Sequence, residues 1–408
     1  MQEEFERVYE KLSAWCRERD YAGHDPFDAL NSRLFRSTPL LGRSRLARLA
    51  WTQALKRSPV NLRRPALVPA ERNSKGTALF ALAALARHRA NRDDAAAERE
   101  ARALLDDLLE ARVRAPSGAA WGYNFDWQGR AFYAPRGTPT VVPTAFAIRA
   151  LVEGSQLFDE RADGGAQGDA EGARDKYLEA ARGACEFILR DLHRGDGGGD
   201  DEVCFSYTPL DRTRVFNASL LAGEALAAVG ARTGERALLE TALAAARYVV
   251  RRQRADGSWA YGEADFQSWA DNFHTAFILT SLARICRAQP AARAELGDAV
   301  RRGYRFWREN FFLADGWPKY YHRSAYPADA HSAGAAVVAL TELGEDDPDA
   351  LEFAAVVALW AVRHLFDERG FFYYQRRRRY TVRTPYMRWS QAWMAYALAR
   401  LLEVSSKQ

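Results

Sequence analysis

Two short steps in the chain bring a carboxylate next to a histidine: Asp271 lies three residues before His274, and Asp329 two residues before His331. An imidazole beside a carboxylate can titrate near neutral pH and act as general acid or base. Two such pairs facing one ligand would remove a proton from one face of a carbon and return one on the other, as epimerisation requires. They would equally assist an elimination. The same residues suit a plainer role, since Asp or Asn ahead of a helix satisfies its first N–H groups. Hydrolysis of a glycosidic bond needs two carboxylates roughly 5–10 Å apart. Asp126, Asp271 and Asp329 are the candidates for that chemistry.

Arg388 stands just before a helix start and should point inward. Its guanidinium fork suits a carboxylate or phosphate. The run Arg376–Arg379 upstream of it has the character of a solvated loop. Aromatic residues crowd the same segments. Trp127, Trp269 and Trp389 depart from the repeat described next and are candidates to stack on a sugar ring or hold a cation. Tyr374 and Asn217 join them as candidate ligand contacts.

These residues recur within a repeat. Five times an aromatic pair is followed by an apolar helix: Trp121/Tyr123, Phe205/Tyr207, Trp259/Tyr261, Trp317/Tyr320 and Phe372/Tyr374. The helix starts at Asn217, His274, His331 and Trp389 are 57, 57 and 58 residues apart. A degenerate sixth copy begins at Lys75. Ahead of each aromatic pair lies an amphipathic helix, as at 235–254, with apolar residues at helical spacing. Gly–Asp turns such as Asp256-Gly257 and Asp315-Gly316 stop these helices. The helices after the pairs are apolar or small nearly all round, so most of their surface must be buried. One half-exposed and one buried helix per unit, about six times over, predict an all-α (α/α)6 toroid: a closed ring of helical hairpins with short β-like hairpins at one rim. Residues 1–408 are expected to form one domain, with 1–60 packing on or completing the ring. The inner helix N-termini then converge on a central hollow, where their unsatisfied N–H groups favour an anionic or hydroxyl-rich ligand.

Composition narrows the classes. With 48% hydrophobic and 27% charged residues the chain is neither disordered nor fibrous. No apolar run is long enough for an integral membrane segment, and the first residues contain no signal-type apolar core, so the expected location is cytoplasmic. The net charge of +5 comes from 52 Arg and six Lys interleaved with acids; nucleic-acid binding would need them clustered on one face. Cys16, Cys185, Cys204 and Cys286 form no CxxC pair, and Gly195 opens no phosphate-binding loop. No metal or other cofactor is expected.

Three resemblances bear on the fold. Gln253-Arg-Ala-Asp-Gly257-Ser-Trp259 resembles the QxxxGxW motif of terpenoid cyclase toroids, although their DxDD acid motif is absent. His274-Thr-Ala-Phe-Ile-Leu resembles the inner helix of protein prenyltransferase β subunits that supplies a zinc histidine, but the Asp-x-Cys that would complete that site is missing. The segments His24-Asp-Pro-Phe-Asp-Ala-Leu-Asn31 and Arg383-Thr-Pro-Tyr-Met-Arg-Trp389, with the length, resemble bacterial proteins associated with exopolysaccharide biosynthesis. The layout is also similar to sugar-active (α/α)6 barrels, among them six-hairpin glycosidases, uronate lyases and N-acylglucosamine 2-epimerases. The leading expectation is a carbohydrate-active enzyme of polysaccharide biosynthesis or remodelling. It would epimerise or eliminate at an acidic sugar in an oligosaccharide, polysaccharide or small molecule, with hydrolysis as the nearby variant. His274 and His331 would exchange protons, Asp271 and Asp329 would orient them, Arg388 would hold a carboxylate, and Trp127 and Trp269 would stack on sugar. An isoprenoid-processing toroid and a non-catalytic carbohydrate-binding or scaffold protein are the alternatives.

Overall fold

The computed structural model describes residues 1–162, 167–195, 199, 201–344 and 347–407. Outer helices are α1 (Gln2–Arg17), α6 (Ala95–Glu110), α8 (Gln167–Glu186), α10 (Arg236–Val250), α12 (Arg293–Asn310) and α14 (Ala350–Leu365). Inner helices are α5 (Ser74–Ala90), α7 (Val141–Ala162), α9 (Phe216–Thr233), α11 (Asn272–Ala288), α13 (Ala330–Leu343) and α15 (Ala392–Ser405). Three short helices, α2 (Arg33–Arg36), α3 (Pro39–Arg43) and α4 (Arg45–Arg57), lie in the connection from α1 to α5.

Each inner helix packs on the next, and α15 packs on α5, so the ring closes. The hairpin partners are α5–α6, α7–α8, α9–α10, α11–α12 and α13–α14, while α15 takes α1. The N-terminal helix therefore completes the sixth hairpin. A repeated turn shows how the units interlock. Gly257, Gly316 and Gly370 all have positive φ, and a Cβ on each would strike backbone of the next outer helix: Arg302, Val356 and Lys11 respectively. The third of these contacts places α1 where a following outer helix would stand. Gln253 of the QxxxGxW stretch donates to the carbonyls of Gly257 and Ala299, both at 2.9 Å, and Trp259 Nε1 donates to Val249 O. That motif braces neighbouring hairpins.

Burial follows the sequence pattern. In α9 the helix is buried from Phe216 through Ala227, whereas α10 buries one face through Leu238, Ala242, Ala246 and Val249. The connections from outer to inner helices are long and all lie at one rim. Those from inner to outer are short where described, as at 91–94 and 234–235. The expected rim hairpins are small antiparallel ladders: β1 (Val113–Ala115) with β2 (Gly118–Ala120), β3 (Trp127–Gln128) with β4 (Tyr133–Ala134), and β5 (Arg194–Gly195) with β6 (Cys204–Phe205). A three-stranded piece, built from β7 (Ala328–Asp329), β10 (Gln375–Arg376) and β11 (Thr381–Val382), runs in the order β11-β10-β7, and β8 (Phe366–Asp367) pairs with β9 (Phe371–Phe372). The stretch 161–173, which reads from sequence as a loop insertion, is helical up to 162 and again from 167; residues 163–166 lie outside the described residues, as do 196–198 of the Gly-rich run.

At the opposite end of the inner ring, charges from all six inner helices meet. Arg284 of α11 bonds Glu224 of α9 at 2.6 Å and Glu342 of α13 at 2.6 and 2.9 Å. Arg149 of α7 reaches Glu153 and Glu342 at 3.0 and 3.2 Å, and Arg89 of α5 reaches Glu153 at 3.1 Å and Glu403 of α15 at 3.0 Å. Burial alone would raise the Glu342 carboxyl, but Arg284 and Arg149 outweigh it and hold it well below the usual carboxylate range. No helix is long and apolar enough to cross a membrane among the described residues.

Candidate active site

The long connections and the inner helix N-termini enclose a cavity of about 700 Å³. Its wall is built from four sources: inner helix starts, the β3–β4 hairpin, the loops at 207–217 and 261–274, and α4 from the first connection. Asn73, Asp271 and Asp329 cap α5, α11 and α13 by accepting from backbone N–H groups in the first turn. Those caps fix the residues that follow, Lys75, His274 and His331, at the cavity surface. A π-turn, Met387–Gln391, leads into α15 and aims Arg388 and Trp389 the same way. Such turns are frequent at functional sites.

Asp271 does two jobs. Its Oδ1 accepts from the His274 backbone N–H at 2.9 Å, and its Oδ2 from the His274 ring at Nδ1, 2.8 Å away. A carboxylate only accepts, so Nδ1 carries a hydrogen, and in the neutral ring the lone pair is then on Nε2. One side chain thus both caps α11 and bonds the His274 ring.

His331 departs from expectation. Asp329 does not bond it: its Oδ1 accepts from Ser332 N at 2.8 Å and its Oδ2 from Trp389 Nε1 at 3.2 Å. Among the described residues neither His331 nitrogen has a hydrogen-bond partner. The ring is stacked against Phe273 and Trp393, with centroids 4.3 and 4.8 Å away, and meets the edge of Trp389 at 4.2 Å. Burial, reinforced by Lys75 and Arg388, lowers its pKa well below the ordinary value, so the imidazole is neutral at neutral pH. His274 lies 4.1 Å from the same Phe273 ring. One phenyl group thus touches both imidazoles.

Arg388 points inward as expected, yet it is not free to act as a fork. Its Nε and Nη2 donate to Asp25 at 2.6 and 2.8 Å, and the whole pair is buried. Trp127, Trp269, Trp389 and Asn217 all line the cavity, and Asn217 Oδ1 has no hydrogen-bond partner. Trp269 stacks on Tyr261 at 4.4 Å, and Trp127 leans on Tyr207 at 5.1 Å. Two candidates lie elsewhere. Asp126 accepts from Arg136 N at 2.8 Å and faces Arg36 at 3.3 Å, bracing the loop beside β3. Tyr374 packs under β11 against Tyr386 and does not reach the wall.

Two cavity lysines escaped the sequence reading. Lys56 of α4 sits 4.0 Å from the Phe27 ring centroid, and burial lowers its pKa to about 8 despite Asp329 and Asp25. Lys75 is 3% exposed, and its Nζ is 4.4 Å from the Phe146 centroid. One such ring face returns about 0.5–2 kcal/mol to an ammonium, less than the several kcal/mol that desolvating the ion costs. Burial and the nearby Arg388 hold the Lys75 pKa well below its ordinary value. Among the described residues the wall thus carries Lys56, Arg57, Lys75, Arg130 and Arg388 but no Asp or Glu. Among the described residues no three of His, Cys, Asp or Glu converge as a metal-binding group.

No family model and no curated protein matches this chain. Solved structures do. Cellobiose 2-epimerase from Bacillus thermoamylovorans B4167 superposes with a TM-score of 0.62 at 13% identity, covering 83% of this chain and 90% of that one. The chain is an (α/α)6 toroid. The GH76 α-mannanase BT2949 of Bacteroides thetaiotaomicron matches at TM-score 0.57 and 12% identity, over 81% of this toroid and 86% of its own length. An unsaturated glucuronyl hydrolase specific for heparin gives 0.56 at 12% identity, with the same coverages.

Proposed function

We propose that this toroid is a carbohydrate-active enzyme that moves protons at carbon, epimerising or eliminating at an acidic sugar. The observation that carries the reading is the composition of the cavity wall among the described residues: two imidazoles, two lysines and three arginines, with no carboxylate. A two-carboxylate hydrolysis has no pair of groups there to run it. A carbon acid next to a carboxylate or carbonyl does have what it needs. His274 Nε2 removes the proton, and His331, neutral and unbonded, polarises the carbonyl oxygen through its ring N–H or relays a proton from water, taking it on one nitrogen as the other gives one up. Lys56 and the outer cations stabilise the charge that develops. Trp127 and Trp269 form flat walls for sugar faces. That several similar toroids are named as sugar epimerases, isomerases and hydrolases supports the sugar assignment.

Work in polysaccharide biosynthesis or remodelling belongs to the same proposal and rests on the resemblance carried by residues 24–31 and 383–389. The test is incubation with uronic acids and uronate oligosaccharides in deuterated water. Deuterium at the carbon next to the carboxyl or carbonyl, with an epimer or an ultraviolet-absorbing unsaturated product, upholds the proposal. Release of sugar with no exchange at carbon would replace it with hydrolysis.

A further inference from the structure

Proton transfer by the two histidines leaves the Lys75 amine without a task. Lys75 occupies the first turn of α5 at the base of the cavity. Its Nζ is bounded by the rings of Phe146, Phe277 and Trp393 at 4.4, 5.1 and 5.3 Å. No carboxylate pairs with it, and it makes no hydrogen bond among the described residues. His331 rests on the same Trp393 ring, 4.8 Å away, with both nitrogens unbonded. An amine with no carboxylate partner, open to the cavity and set beside an unbonded imidazole has the surroundings of a nucleophile.

We propose that Lys75 condenses with the aldehyde of an open-chain reducing sugar in the cavity to form an imine. The amine lone pair attacks the carbonyl carbon, making a C–N bond as the carbonyl π pair moves to oxygen. That oxygen takes a proton, nitrogen gives one up, and a carbinolamine results. The hydroxyl then leaves with a second proton as water, and the nitrogen lone pair closes the C=N bond. No electrons are gained or lost overall, and water reverses the sequence. His331 carries the protons between nitrogen and oxygen. The protonated imine withdraws electrons from the neighbouring carbon, so the hydrogen there becomes the one His274 removes. Burial and Arg388 support the step by keeping the amine in its reactive uncharged form. The sugar as electrophile rests on the function proposed above, whereas the reactivity of the amine does not.

The experiment treats the full chain at pH 7 with sodium cyanoborohydride and either glycolaldehyde or D-glucuronate, then maps all six lysines by peptide mass spectrometry. With glycolaldehyde, Lys75 should be alkylated at least about tenfold faster than Lys11, Lys176 and Lys407, since each pKa unit of lowering gives about tenfold more free amine. D-Glucuronate should mark Lys75 as well, and neutral sugars less. Equal labelling of Lys75 and the surface lysines by glycolaldehyde overturns the proposal. Selective labelling by glycolaldehyde with none by any reducing sugar keeps the nucleophile and overturns the sugar assignment. Lys75→Met should abolish the adduct while retaining the helical circular dichroism; if that variant fails to fold, the wild-type map decides alone.

Discussion

Asp271 holds His274 twice, taking its backbone N–H on one carboxylate oxygen at 2.9 Å and its ring Nδ1–H on the other at 2.8 Å. The two bonds can be separated by substitution. Asn at this position remains a good helix cap, but it no longer fixes the imidazole tautomer. Asp271→Asn keeps the cap and should therefore lose less stability than Asp271→Ala. Its deuterium exchange into substrate should fall by about 10²–10⁴, the range of one acid–base contribution. Asp271→Ala should lose the same exchange and in addition about 1 kcal/mol of stability, the typical worth of a cap. Urea unfolding beside exchange rates gives both readings from the same samples.

Lys56 should set an alkaline limit on ligand binding. Its pKa is lowered to about 8, so the cation is present below that pH and lost above it. An anionic sugar should bind with rising KM as pH passes 8, while a neutral analogue shows no such inflection. Lys56→Met should bind the anionic ligand at pH 7 about as weakly as the parent does at pH 9. Calorimetric titration of both proteins across pH 6–9 measures this.

The ring was legible because burial imposes a pattern: helices apolar all round at steps of 57, 57 and 58 residues leave little choice but an inner circle. The inward placement of His274, His331 and Arg388 followed from that register. What the register does not encode is pairing across distant segments. Arg388 meets Asp25 from the opposite end of the chain, and no local spacing announces it. Asp126 and Tyr374 were misplaced because aromatic loops at the rim fold either into the cavity or behind it, and one β3–β4 ladder or one β11 contact decides which. Lys75 did leave a signal. It is one of only six lysines and begins the sixth apolar helix, a position aligned with the histidines of the other copies. The axial ring left one too, as isolated Glu and Arg residues in otherwise apolar helices have only one another for partners.

Arg388 and Asp25 form a buried pair whose breaking should be costly. Asp25→Asn leaves a desolvated guanidinium uncompensated, so it should lose about 3–5 kcal/mol. The double variant Asp25→Asn with Arg388→Met removes both charges and should recover most of that loss. The parent, the two single variants and the double variant, unfolded in urea, form a cycle. Additive losses would show that the pair does not couple.

Lys75 should weaken the fold at neutral pH. The unfolded chain binds a proton on this amine up to about pH 10.4, whereas the folded chain holds the amine uncharged from a value well below that. Folding therefore expels a proton between the two values, and this residue's contribution to stability rises with pH across the window. Lys75→Met has no proton to expel and fills the same aromatic box, so it should be more stable than the parent at pH 7. The gain should shrink as pH is raised toward 10. Glu342 runs the other way. Its folded pKa is depressed, so its contribution is complete above the ordinary carboxylate value and is lost as pH falls through the folded one. Glu342→Gln removes the counter-charge that Arg284 and Arg149 share, leaving them Glu224 and Glu153, and should destabilise the fold at pH 7, with the cost shrinking in acid. Urea midpoints for the parent and both variants between pH 4 and 10 test the two slopes together. A Lys75→Met protein less stable than the parent at pH 7 would mean that the amine is charged in the fold and held by its aromatic neighbours.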